Sequence, residues 1–127
     1  MPRRTESDPL TAKIGARLRS LRLERNLSIS ELGEATEISK GHLSSIERGL
    51  AAITVQTVVR LAKGLGLPPF YLLASPSDDA RDDIVELIRQ LPAAELGRLR
   101  RELTKSAKLA EKAAVKAAKA QDARSRV

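Results

Sequence analysis

The residues able to do chemistry are few. There is no Cys, so no thiol nucleophile, thiolate metal site or disulfide framework can be built. His42 is the only histidine, which leaves no multi-His metal set and no His-based acid–base pair. The densest carboxylate run, Asp78, Asp79, Asp82 and Asp83, lacks the Gly and closing Glu of a calcium loop. Its crowding at a helix start reads better as capping of the helix dipole. No motif for nucleotide or metal binding occurs, so the expectation is no catalytic residue, no metal, no cofactor and no enzymatic activity. What remains is cationic and hydroxyl-bearing: Lys40, His42, Ser44, Ser45 and Arg48 fall within one short stretch.

Charge gives the next constraint. The 127 residues carry 23 Lys and Arg against 16 Asp and Glu, a net charge of +7. Residues 1–95 balance at 13 basic and 13 acidic groups, whereas residues 96–127 hold 10 basic and 3 acidic. The whole surplus is therefore C-terminal. Such a chain favours polyanionic partners, nucleic acid or an anionic membrane surface. Phe70 and Tyr71 are the only aromatics, too few to make the stacking platform of a single-strand binder, so duplex DNA is favoured. No apolar run approaches the ~20 residues that cross a bilayer, and the tail has no large apolar face for lying on one. Met1–Pro9 is polar, without the apolar stretch of a signal peptide. The expected setting is cytoplasmic, at the nucleoid, with no membrane partner.

The elements that must position these groups are helical, and no stretch alternates as a strand would. Ile14, Leu18 and Leu21 lie on one helical stripe, and Asn26 ends that helix. Arg17, Arg19, Arg22 and Arg25 lie around it, and Arg17, Arg19 and Arg25 read as solvated charges. Ser28 with Glu31 forms a capping box for a second helix, with Leu32 and Ala35 inward and Gly33 allowing another helix close. Ser39 caps a third, with Leu43 and Ile46 buried and Gly49 as its stop. Thr54 caps a fourth, whose inner stripe is Val55, Val58, Leu61, Ala62 and Leu65, with Gly66 ending it. Pro69 opens a short fifth helix to Leu73. Beyond the linker, Ile84, Leu87, Ile88 and Leu91 form a stripe; Pro92 breaks the chain. A last helix runs from about Ala93 to about Ala120. Its apolar residues fade from Leu96, Leu99 and Leu103 to Ala110, Ala113 and Ala117, so its first half is expected to pack and its second half to fray.

Two short helices joined by a tight turn, the second starting at Ser39, make a helix-turn-helix. The stretch IGARLRSLRLERNLSISELGEATEISKGHLSSIERG, followed by TVQTVVRLAKGLGLPPFYLL, resembles the Cro-type, or XRE, helix-turn-helix regulators related to the phage lambda repressors. The resemblance covers about half the chain and rests on LRxLRxERxLS, ExxxISKxxLSxIERG and a helix ending LGLPP. It implies an all-α fold, a five-helix lambda-repressor-like domain followed by C-terminal helices. It also implies that Lys40, Gly41, Ser44 and Ser45 meet base edges, and that Ser28, Ser39, His42 and Arg48 meet the DNA backbone. Lys40 is the best direct reader, because Lys suits guanine O6 and N7. Arg22 and Glu47 match a structural ion pair of family members. Ile29 stands where the family commonly has a DNA-contacting Gln. Glu37 stands where Gly is usual, which implies a small backbone strain there or a slightly different turn. The loop Leu50-Ala51-Ala52-Ile53 lacks basic residues, so Arg3 and Arg4 of the arm or the C-terminal tail would have to supply affinity.

The expected organisation is a flexible arm (1–9), a helix-turn-helix domain (10–74), a linker (75–79) and a C-terminal helical segment (80–127). Ile84, Leu87, Ile88, Leu91, Leu96, Leu99 and Leu103 would dimerise the chain through 80–103, or else pack back on the first domain, and 104–127 is a basic Ala/Lys-rich tail. The functional expectation is a sequence-specific duplex-DNA-binding transcriptional regulator, a repressor on an inverted repeat, acting as a homodimer. The alternatives are an antitoxin-type autorepressor whose C-terminal helices hold a protein partner, and a nucleoid-associated protein whose tail clamps DNA nonspecifically.

Overall fold

The computed structural model describes residues 8–74 and 79–126. The expectations for Arg3, Arg4, Asp78 and most of the linker lie outside them. Seven helices and no strand occur among the described residues: α1 (Pro9–Glu24), α2 (Ile29–Thr36), α3 (Lys40–Glu47), α4 (Val55–Leu65), α5 (Phe70–Leu73), α6 (Ala80–Arg89) and α7 (Ala93–Ser125). The chain divides into two compact units, one ending at Arg89 and one beginning at Gln90, so α6 belongs with the first five helices and α7 stands in the second.

Local chemistry sets most helix starts. The Asp8 carboxylate accepts from the Thr11 amide at 3.1 Å, with Pro9 in the first turn of α1. Asp8 and Pro9 thus belong to the helix rather than to an arm. Ser28 and Glu31 form the expected reciprocal box: the Glu31 amide donates to Ser28 Oγ at 3.0 Å and the Ser28 amide to Glu31 Oε1 at 3.2 Å. Ser39 Oγ accepts from the His42 amide at 3.2 Å, and Thr54 Oγ1 from the Thr57 amide at 3.1 Å. Glu37 closes α2 in the left-handed region at φ 58°, the strained turn expected where Gly is usual.

The first unit closes around Leu18 and Leu21 of α1, Leu32 of α2, Leu43 and Ile46 of α3, Leu61 and Leu65 of α4 and Leu72 of α5, each 0–1% exposed. Truncating any one to Ala would cost ~2–5 kcal/mol. Two assignments of inward residues need correction. Ala35 is exposed, and Thr36 takes the inner place, its hydroxyl donating to the Leu32 carbonyl at 2.7 Å. Val55 is 80% exposed because it occupies the first position of α4, where the helix overhangs the core. Gly33 admits the turn after its own helix and the start of α3, as expected: a Cβ there would lie 2.8 Å from the Ile38 carbonyl, 3.6 Å from Leu43 and 3.9 Å from the Lys40 amide nitrogen.

Two further glycines permit the crossing of α1 and α3. A Cβ on Gly15 would sit 2.2 Å from the Ile46 carbonyl oxygen, so the two backbones touch at that point. Gly49 leaves α3 at φ 73°, with a Cβ position 2.7 Å from Ala12 Cα.

The sixth helix docks on α1 and α5 with its charged side inward. Arg17 pairs with Glu86 and donates from Nε to the Tyr71 carbonyl at 2.9 Å. Arg89 forks onto Glu24 at 2.7 and 3.0 Å and reaches Glu86 at 2.6 Å. Arg17, expected to be a solvated charge, is therefore a structural tie between α1, α5 and α6. These cations hold the Glu86 carboxyl far down, to about 2, with Arg89 the main cause, and Arg89 also holds Glu24 below the usual carboxylate range. Val85 and Ile88 are half-buried, whereas Ile84 and Leu87 remain 53% and 65% exposed.

The seventh helix is a single 33-residue rod. It contains no buried residue; Leu99 is half-buried and everything from Arg100 to its end is exposed, so the second half is solvated as expected but stays helical to Ser125 instead of fraying.

Candidate nucleic-acid interface

The turn Glu37–Ile38–Ser39 joins α2 to α3 in three residues, and Ile38 is buried beneath it. Leu43 and Ile46 then anchor the inner side of α3 in the core. At about 100° per residue, Lys40, Gly41, Ser44 and Arg48 fall on one arc of about 100° on the opposite side. Lys40, Gly41 and Arg48 are exposed and Ser44 is half-buried. A Cβ at Gly41 would meet nothing within 4 Å, so this arc carries a bare patch of backbone beside Lys40. His42 is exposed too, but projects from a different side of the helix. Arg48 is the C-cap of α3, and its Nε donates to the Ser44 carbonyl at 3.3 Å, which lays the guanidinium along the same face.

Ser45 does not share that face, and its expected place among the base readers is corrected. It is 4% exposed, at the point where the chain turns back after α3 and the Leu50 amide donates to the Ser45 carbonyl at 2.9 Å. A hydroxyl so placed cannot reach a base edge without moving the turn. Ile29 is half-buried against the core, so it packs where a polar side chain would have faced outward. Ser28 and Ser39 are exposed at the starts of α2 and α3, each already engaged as a cap.

The frame behind α3 is held by charge. Arg22 of α1 forks onto Glu47 of α3, Nε to Oε1 at 2.5 Å and Nη2 to Oε2 at 3.1 Å. Its third nitrogen donates to the Leu27 carbonyl at 2.8 Å. The two side chains are only 9% and 7% exposed, and the hydrogen bond to Glu47 raises the Arg22 pKa despite burial. This is the ion pair that the resemblance implied. It fixes the far end of α3, as Gly15 and Gly49 fix its approach to α1.

Missed from sequence alone are Gly15, the close approach of Gly49 to α1 and the Arg17–Glu86–Arg89–Glu24 network. Gly15, set in the apolar stripe between Ile14 and Leu18, was the one legible signal of a close crossing. Among the described residues, no three His, Cys, Asp or Glu gather as a metal set. No helix among them is long and apolar enough to cross a membrane.

Comparison with known proteins bears on the same residues. The helix-turn-helix family model matches residues 18–72. The HTH-type transcriptional regulator SutR of Escherichia coli (strain K12) is 39% identical over 69 residues, 54% of this chain and 38% of that protein. An uncharacterized HTH-type transcriptional regulator of Mycobacterium bovis is 38% identical over 82 residues, 62% of this chain and 31% of that protein. The chain thus spans about a third of the length of these curated relatives. The crystal structure of the clp gene regulator ClgR from C. glutamicum superposes with a TM-score of 0.50 at 31% identity, covering 53% of this chain and 87% of that one. Through residues 18–72, the chain belongs to the XRE-type helix-turn-helix family.

Proposed function

We propose that this protein is a sequence-specific duplex-DNA-binding transcriptional regulator that acts as a repressor and binds an inverted repeat as a homodimer. The carrying observation is the outer face of α3. Exposed Lys40, bare Gly41 and Arg48, with half-buried Ser44 among them, share one arc of a helix locked from behind by Leu43, Ile46 and the Arg22–Glu47 fork. A helix so presented fits the major groove, where its N-terminal side chains meet base edges. Lys40 reads guanine O6 and N7, and Ser44 reads an adjacent base or phosphate. Arg48, His42 and the caps of α2 and α3 hold the flanking phosphates. No catalytic step is required of any residue.

Dimerisation is supported by the way α6 docks. Its charged side is satisfied by Arg17 and Glu24 of α1, which leaves Ile84 and Leu87 uncovered. Leu96 and Leu103 of α7 are likewise 38% and 57% exposed, and Leu99 lies between them on the same stripe. A second copy supplies apolar surface of the same kind to both. Two α3 helices in such a dimer would read half-sites about one turn apart, ~34 Å.

The test is selection of bound fragments from a genomic library, followed by footprinting of the most enriched one. The proposal expects two protected half-sites related by a twofold axis. A footprint without symmetry, or no enrichment over input, would refute it. Enrichment of a protein from a two-hybrid screen, with no enriched DNA, would favour the antitoxin-type reading.

A further inference from the structure

The far helix carries an arrangement of charge that the helix-turn-helix domain does not account for. On α7 the residues Arg101, Lys105, Lys108, Lys112, Lys116 and Lys119 recur at intervals of three and four. At about 100° per residue they fall within an arc of about 80°. Arg98 and Arg126 extend the same stripe at its two ends, so it runs for about 42 Å along the helix. Glu102, Glu111 and Asp122 all fall outside the arc. Arg98 is paired with Glu95 at 2.7 Å and Arg126 with Asp122 at 3.1 Å. Among the described residues, the six cations between them make no ion pair, and each is exposed.

This is not how a merely solvated helix places its charges. Opposite signs at i,i+4 stabilise a helix by ~0.2–0.5 kcal/mol per pair, and like signs destabilise it by similar amounts. Lys108, Lys112 and Lys116 stand at successive four-residue steps with the same sign. The alanines around them keep the rod helical on intrinsic propensity, without a core. The repulsion is relieved when a polyanion neutralises the stripe.

We infer that α7 is a second duplex-DNA-binding surface, in which the lysine stripe contacts backbone phosphates without regard to sequence. Duplex DNA is the occupant because it carries about one phosphate charge per ~1.7 Å of axis over both strands, dense enough for an extended cationic rod to meet several where it crosses the backbones. A membrane surface fits less well. The side away from the stripe carries Leu96, Leu99 and Leu103 and then mainly alanine, and α7 holds no aromatic residue to anchor in a lipid interface. The choice of DNA over another polyanion rests on the proposed reading of α3; the stripe itself does not.

The experiment uses the full chain with Lys105, Lys108, Lys112, Lys116 and Lys119 all changed to Gln, a residue of similar helix propensity, and a second variant with the same five changed to Arg. Affinity for a random duplex and for the enriched fragment is measured by anisotropy across a salt series, with circular dichroism confirming helix content. Each released phosphate contact contributes ~0.9 to the log–log salt slope, so the Gln variant, with five lysines removed, is expected to lose up to about 4.5 of slope. It should lose at least about tenfold in low-salt affinity on both duplexes, leaving their ratio unchanged. The Arg variant should keep the wild-type slope. An unchanged slope in the Gln variant, or loss of slope in the Arg variant, overturns the inference. So does lysine-dependent binding to phosphatidylglycerol vesicles with the duplex slope unmoved. If instead no fragment outcompetes random DNA yet the Gln variant still loses slope, the regulator reading fails and the α7 surface stands.

Discussion

Removing one side of the Arg22–Glu47 fork tests the frame that presents α3. Glu47→Ala strands the Arg22 guanidinium, whose side chain is 9% exposed in the intact fork, with two of its three hydrogen bonds gone and only the Leu27 carbonyl retained. Breaking a buried pair from one side costs ~3–5 kcal/mol, because the surviving charge stays desolvated. An exposed pair is worth ~0–1 kcal/mol. For a domain of this size each kcal/mol moves Tm by roughly 4–8 °C, so Tm should fall by at least about 12 °C. Replacing both partners with apolar residues, Arg22→Met with Glu47→Leu, should recover most of the loss, since no charge is then stranded. The residual cost is the Leu27 carbonyl left without its donor, ~1–3 kcal/mol. The assay is denaturant unfolding of the wild type, both single variants and the double, each at low and high salt. A single-variant loss under ~1 kcal/mol that vanishes in high salt would show a surface pair and refute the reasoning.

Acid should release α6 before it unfolds the core. Glu86 is held at about 2 in the folded chain against an ordinary value of 4.5, and Glu24 is lowered in the same sense. Their stabilisation is therefore complete above about pH 4.5 and is lost as pH falls toward about 2, by linkage. Solvent at the 20% exposed Glu86 side chain keeps the contribution to roughly 1–2 kcal/mol. Hydrogen exchange of α6 amides should rise in that window, and Arg89→Ala should raise it already at neutral pH; equal exchange in wild type and variant would refute the latch. Gly41→Ala should stabilise the fold by ~0.5–1 kcal/mol, since a Cβ there meets open space on a helix. If DNA approaches that bare backbone, the same change should weaken operator binding, and titration beside thermal unfolding separates the two signs. Ile84→Glu with Leu87→Glu should leave the unfolding free energy of the first unit within about 1 kcal/mol of wild type while sedimentation shifts from dimer to monomer; an unchanged dimer would move the interface elsewhere.

Much of the first unit was legible because its signals are local. Ser28, Ser39, Thr54, Gly49 and Gly66 act within a few residues of themselves, so spacing alone placed their caps and stops. The buried stripe of α4 was legible from Val58 onward. Val55 misled because periodicity marks a direction around a helix but not where the core ends along it. Ser45 failed for a related reason: its place depends on how the chain turns back after α3. Arg22 and Glu47, 25 residues apart, have no periodicity that pairs them, and only the family resemblance linked them. Arg17 and Glu86, 69 apart, had no such help. The docking of α6 divides its apolar stripe: Ile88 is half-buried beside the ion pairs, whereas Ile84 and Leu87 face out. Periodicity marked the stripe but not which of its residues the domain covers.

Sequence reading by Lys40 on α3 is measured by a competition titration of the enriched fragment against random duplex at fixed salt, for wild type and Lys40→Ala. The wild type should discriminate by ~10³ or more. The variant should lose about 1–3 kcal/mol of that discrimination, with its affinity for random duplex changed far less. Equal loss on both duplexes would make Lys40 a phosphate contact and not a reader of bases.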